Sequence, residues 1–286
     1  MLAPEPELLR QVPGMNGPVV MHDDQHGTAI ISGAGLLNAL EIAGKAIEDV
    51  RIVISGAGAA AIACARLYCA LGANHRNIVM TDSKGVIRAS RTDLNAMKRE
   101  FATEREELTS LAEALVGADV FVGLSKGGMV TGDMVKTMAS DPILFALANP
   151  VPEISYEEAK AARPEVLMST GRTDYPNQIN NVLAFPYIFR GALDTHASAI
   201  NLEMQLAATR AIAALAKRPV PHYVNEAYET EGLSFGREYF IPKPVDKRLL
   251  VEVSTAVAKD AIETGVARHV ITDWEAYQAH LRSLIG

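Results

Sequence analysis

Two kinds of hydrophobic spacing alternate along this chain. Short runs rich in β-branched and aromatic residues read as strands: DVRIVIS at 49–55, NIVMTD at 77–82, DVFVGL at 119–124, ILFALAN at 143–149 and EVLMST at 165–170. Between them lie stretches of helical character: AAAIACARLYCAL after residue 58, one long charged helix over 95–117, GDMVKTMA at 132–139 and SYEEAKAA at 155–162. Strands separated by segments of that length need crossover connections, which predicts an α/β fold with a parallel sheet and helices on both faces. A small, apolar helix precedes the first strand, from Thr28 to Gly44, and residues 1–20 form an irregular lead-in broken by four prolines. After Asn180 the strand signal fades. Amphipathic helices are expected at 201–217 and 247–267, with FIPKPVDKRLL as a proline-punctuated connector and Trp274 packing a late helix.

Composition narrows the class. With 49% hydrophobic residues in 286, the chain can bury a large core in one or two domains. A net charge of -7 offers no basic face for nucleic acid. No uncharged apolar run of about 18 residues predicts a membrane span, and the start, MLAPEPELLRQVPG, is acidic and proline-broken, unlike a signal peptide. The two cysteines, Cys64 and Cys69, stand five apart on one predicted helix and face different ways. Free thiols without a disulfide framework point to a reducing, cytoplasmic setting.

The first candidate for chemistry is SGAGAAA, after the strand at 49–55. Gly56, Gly58 and Ala61 have the G-x-G-x-x-G/A spacing. The first glycine permits the tight turn, the second lets backbone approach a pyrophosphate, and the alanine lets the helix pack on the sheet. Asp82 ends the next strand, 26 positions after Gly56 and beyond the usual spacing of about 20. A carboxylate there can accept from a ribose diol. It does not settle NAD against NADP, because Lys84, Arg88 and Arg91 are close enough to counter its charge. The expected fold is therefore a Rossmann-like, doubly wound parallel sheet with flanking helices and a helical C-terminal extension.

The second candidate is the pair Asp23 and Asp24 in MHDDQHGTA. Adjacent acids before a helix can cap it, or hold a hard cation such as Mg2+ or Mn2+. From an extended segment only one would ligate, the other orienting it. Asn149, at the end of a strand, and Asn180 and Asn181, before an apolar helix, are neutral amides suited to a carboxylate or a carboxamide.

Taken together, HDDQHGTA, GAGAAAIACA, TDSKGVI, FALANPVPE and TGRTDYPNQINNVLAFPYIFRGALD resemble malic enzymes, in order from about residue 21 to the end. The nearest type is the bacterial one carrying an extra phosphotransacetylase-like domain. Such enzymes oxidatively decarboxylate L-malate to pyruvate and CO2 with NAD or NADP and Mg2+ or Mn2+. The resemblance implies Asp24 as a metal ligand, with Asp23 beside it at the catalytic position near the substrate. It implies Thr28 near the cofactor, Gly56, Gly58 and Ala61 at the pyrophosphate, and Asp82 on the adenosine ribose. Asn149 would face both nicotinamide and substrate, and Asn181 the malate carboxylate.

The sequence also departs from that family. Malic enzymes carry a tyrosine acid, a lysine base, a substrate arginine and a Glu-Asp metal pair in an N-terminal domain ahead of the paired acids. Only some 20 residues precede the pair here; they contain no tyrosine or lysine, and Arg10 has no recognisable motif. The expectation is a linker remnant with the metal-site aspartates at 1–27, an NAD(P)-binding domain at 28–200 and C-terminal helices at 201–286. The N-terminal catalytic and phosphotransacetylase-like domains would be missing, leaving a chain that binds dinucleotide and turns over malate weakly or not at all. Lys126 is assigned no role. Self-association is expected of the full-length enzyme, because the family is oligomeric. Two alternatives are a non-catalytic dinucleotide-binding module acting with a partner chain, and a metal-independent dehydrogenase.

Overall fold

The structure is a computed structural model that describes residues 21–285. The expected lead-in over 1–20 lies outside the described residues. A π-helical turn, Asp23–Gly27, runs directly into helix α1, Thr28–Ala43, and then strand β1, Ile52–Ser55. There follow α2 (Ala59–Leu71), β2 (Ile78–Asp82), β3 (Gly85–Val86), α3 (Ala96–Glu100), α4 (Leu111–Leu115) and β4 (Val120–Gly123). Next come α5 (Gly132–Lys136), β5 (Ile143–Ala146), α6 (Tyr156–Ala162) and β6 (Leu167–Thr170). The rest is helical: α7 (Phe185–Asp194), α8 (Leu202–Ala216), α9 (His222–Ala227), α10 (Arg248–Glu263) and α11 (Trp274–Ser283).

The sheet has the order β3-β2-β1-β4-β5-β6. Strands β1, β2, β4, β5 and β6 are parallel, as the helical segments between them predict, and each is covered on both faces. The edge strand β3 pairs antiparallel with β2; two residues are too short for periodicity to mark. Register aligns Thr81, Ser55, Gly123, Ala146 and Thr170 in one row across the sheet. That row is the C-terminal edge of the parallel strands. The order reverses between β1 and β4, and open α/β sheets bind ligands in the crevice at such a switch point.

One face carries α1, α2, α7, α8 and α10. Ile30, Ile52, Val122, Ile188, Ile212 and Val257 belong to a single buried cluster there, so the C-terminal helices share the core of the sheet. The other face packs Leu115, Val135 and Ala159 from α4, α5 and α6 against Val53, Phe121 and Leu144. Helix α1 is enclosed nearly all round, which its alanines and glycines allow; Gly33 touches both Leu67 and Thr209. Gly44, in the left-handed conformation, ends it.

The long helix expected over 95–117 is two short ones. Asn95 caps α3, and Phe101 is buried at its end. The chain then leaves helical geometry so that Thr103 can exchange backbone hydrogen bonds with Ile87 and Ala89. Ser110 restarts a helix through a capping box with Glu113. Threonine and serine at 103, 109 and 110 offer the backbone these alternatives. Cys64 is buried and Cys69 half-buried, both as free thiols. Among the described residues, no helix is long and apolar enough to cross a membrane.

Candidate functional site

A cleft of about 640 Å3 opens over the C-terminal edge of β1, β2 and β4. Its floor is the glycine turn. Gly56 has a φ of +124°, and a Cβ there would lie 2.6 Å from the Leu124 carbonyl oxygen, so conformation and space both require glycine. Gly58 faces open space and stands before α2 in extended backbone, with no side chain capping the helix. The first N–H groups of α2 are thus free to meet an anion. Ala61, in the first turn of α2, is fully buried, as close packing of the helix on the sheet demands.

Asp82 lines the same cleft. Its carboxylate takes Arg91 in a two-point pair at 2.9 and 3.0 Å, Lys98 at 2.6 Å and the Lys84 backbone N–H at 2.9 Å. Burial alone would raise its pKa; Arg91 and Lys98 outweigh that and hold the carboxyl well below the usual carboxylate range. Asp93 completes the group, pairing with Lys84 at 2.7 Å and Arg91 at 3.0 Å. Arg88, expected near Asp82, instead turns to Glu106, because its strand-edge segment pairs with Thr103. Lys98, Thr109, Ser110 and Ser125 also line the cleft and escaped sequence reading. Lys98 sat in a charged helical stretch, and no local spacing marked it as a partner of Asp82.

The paired acids occupy a helical turn rather than an extended segment, and neither caps a helix: His22 stands at the cap. Asp23, Thr28 and Asn181 do come together. Asn181 donates its amide to the Asp23 carbonyl at 3.1 Å and accepts from the Thr28 hydroxyl at 3.3 Å. Asp23 Oδ1 is buried without a hydrogen-bond partner. Burial first, and the neighbouring Asp24, raise its pKa, while Asn181 counters them. Gly27 is needed beside it, since a Cβ would fall on that oxygen. Asp24 is exposed. The turn packs against α2, the helix whose start faces the cleft. Asn149 is exposed on the loop after β5 and joins neither hydrogen-bonded group.

An orphaned carboxylate oxygen next to an exposed second carboxylate suits a cation. Yet no group of three or more acids, histidines or cysteines that could hold a metal exists among the described residues. Hard divalent ions take six or more oxygens, so these two residues supply only a fragment of a donor set.

Known proteins resemble this chain over most of its length. Residues 25–230 match the family model described as malic enzyme, NAD binding domain. An NADP-dependent malic enzyme of Halomonas elongata is 57% identical over 249 residues, covering 87% of this chain and 59% of that protein. One from Haemophilus influenzae is 54% identical over 272 residues, 95% of this chain and 36% of its own length. The crystal structure of Entamoeba histolytica malic enzyme superposes with a TM-score of 0.83 at 36% identity, covering 98% of this chain and 56% of that one. The chain therefore spans between about a third and three-fifths of the proteins it matches.

Proposed function

The chain belongs to the malic enzyme family, and on that premise we propose that it is the NADP-holding part of an enzyme that oxidatively decarboxylates L-malate. The observation that carries the reading is the cleft itself, with its uncapped glycine turn and its cationic wall around Asp82. Gly56, Gly58 and the start of α2 would receive the pyrophosphate, and Ala61 would keep the helix close. When bound, the nicotinamide accepts hydride from malate C2.

NADP fits better than NAD for a reason of charge. Three cations, Lys84, Arg91 and Lys98, face two carboxylates, Asp82 and Asp93, leaving one positive charge in excess. Asp82 already accepts from four donors and has little capacity left for a ribose hydroxyl. A 2′-phosphate would instead meet the surplus charge, and the two relatives cited are named NADP-dependent. Calorimetric titration tests this: NADP should bind at least about tenfold more tightly than NAD, one charge-assisted contact being worth roughly that. Equal affinities would sink it.

In the second group Asn181 bridges the Thr28 hydroxyl and the Asp23 carbonyl, and the Asp23 carboxylate and the Asn181 amide would face malate. Asn149 would approach the nicotinamide and substrate from the loop after β5. Asp24 would give one ligand to Mg2+ or Mn2+, the others coming from elsewhere in the whole protein. That short donor set also favours a second reading, a dinucleotide-binding module completed by a partner chain. Co-purification of a second polypeptide that restores malate turnover would select it. Residues 28–200 would form the dinucleotide-binding unit and 201–286 the helical extension.

A further inference from the structure

Glu153 closes the motif FALANPVPE. It is completely buried, an unusual place for a carboxylate. Its Oε1 accepts the Ser125 N–H at 3.2 Å, and its Oε2 the Ala148 N–H at 3.0 Å. Ser125 lies in the loop after β4 and Ala148 in the loop after β5. The same two loops are joined again by Gly128 N–H to Pro152 O and Val130 N–H to Glu153 O, both at 3.0 Å. Gly123, in the aligned row of strand ends, has no room for a side chain, because a Cβ would fall inside the Glu153 carboxyl. Space was kept for this acid.

The strand order says what these loops face. Asp82 marks the adenosine side at β2; the dinucleotide crosses β1, and its other half lies over β4 and β5. We infer that Glu153 is a positioning residue for the nicotinamide end of the dinucleotide, tying the loops after β4 and β5 together so that Ser125 and Asn149 stand at fixed places over the strand ends. The inference rests on the dinucleotide reading above. A carboxylate suits the task because both its oxygens accept; an amide of the same shape must turn its NH2 toward one of the two N–H donors.

The test is titration of the full 286-residue chain and of Glu153→Gln with NADP and with 2′,5′-ADP, which lacks the nicotinamide half. In the variant the Kd for NADP should rise about tenfold or more, the effect of one lost charge-assisted hydrogen bond. The Kd for 2′,5′-ADP should stay within about twofold of the original. Equal losses for both ligands would mark Glu153 as merely structural, and no loss for either would also overturn the inference. If the unaltered chain binds neither ligand, the dinucleotide reading itself fails. Should the variant not fold, hydrogen exchange on the unaltered chain decides: NADP should slow exchange across residues 147–153 and 2′,5′-ADP should not. Equal protection by both would refute the role.

Discussion

Asp82 shows how one side chain can be read correctly in place and incompletely in partnership. Its carboxylate is shielded from water and held by Arg91, whose guanidinium is equally shielded. Asp82→Asn should destabilise the chain by about 1–3 kcal/mol, because Arg91 would keep only Asp93 as a charged partner. The pH dependence has a definite sign. The folded carboxyl has a lower pKa than the unfolded one, so its stabilisation is present above about pH 4 and is lost as pH falls through the folded value. Urea midpoints of the two proteins should therefore differ at pH 7 and begin to converge below about pH 4; a gap that widened in acid would contradict the pairing. Position alone marked Asp82, the glycine turn and the aspartate pair in the sequence, since each sits at a strand end or a helix start. The nearby partners Lys84 and Arg91 were legible beside Asp82; the distant ones were not. Lys98 reaches Asp82 across 16 residues, and Asn181 reaches Asp23 across 158. No local pattern encodes such distances.

Between elements, glycine decides how closely two backbones meet. Gly191 on α7 lies against α10, where a Cβ would stand 2.6 Å from the Ser254 carbonyl oxygen and 2.9 Å from Val257 Cβ. Gly191→Ala should force the helices apart and cost about 1–3 kcal/mol, seen as a lower thermal midpoint. An unchanged midpoint would mean that the helices slide at no cost. Gly56→Ala belongs to a different element pair, the turn from β1 to α2 against Leu124. Its positive φ and its contact both oppose a side chain, so dinucleotide titration should show affinity reduced by about tenfold or more. Periodicity served the buried strands well because both faces are covered and their runs are uniformly apolar. It failed at 95–117, where charged residues with helical spacing are interrupted by Thr103 pairing with Ile87 and Ala89. Tertiary pairing won over propensity there.

For the whole molecule, the issue is how much of an enzyme these residues make. The chain joins two regions: a cleft over the glycine turn and Asp82, and a carboxylate pair that belongs to no group of three or more metal-ligating residues among the described residues. Binding and turnover should therefore separate. Dinucleotide should bind in the absence of any metal, because Gly56, Gly58 and the start of α2 require no partner to face the cleft. Mn2+ should bind weakly, since one exposed and one half-buried carboxylate replace only a few of its six or so water oxygens. Asp24→Asn should reduce even that weak binding and leave dinucleotide affinity unaltered. Two titrations and one assay of the same sample suffice to check this: NADP alone, Mn2+ alone, and reduced-nicotinamide production from L-malate with both present. The expected pattern is saturable NADP binding, Mn2+ binding too weak to saturate at millimolar levels, and little or no turnover. Brisk turnover would mean that an acid and a base lie among side chains given no such role here, beginning with Lys126, which lines the cleft next to Ser125. Tight Mn2+ binding without turnover would instead place further oxygen donors beside Asp24, and the partial-site reading would have to be given up while the cleft kept its function.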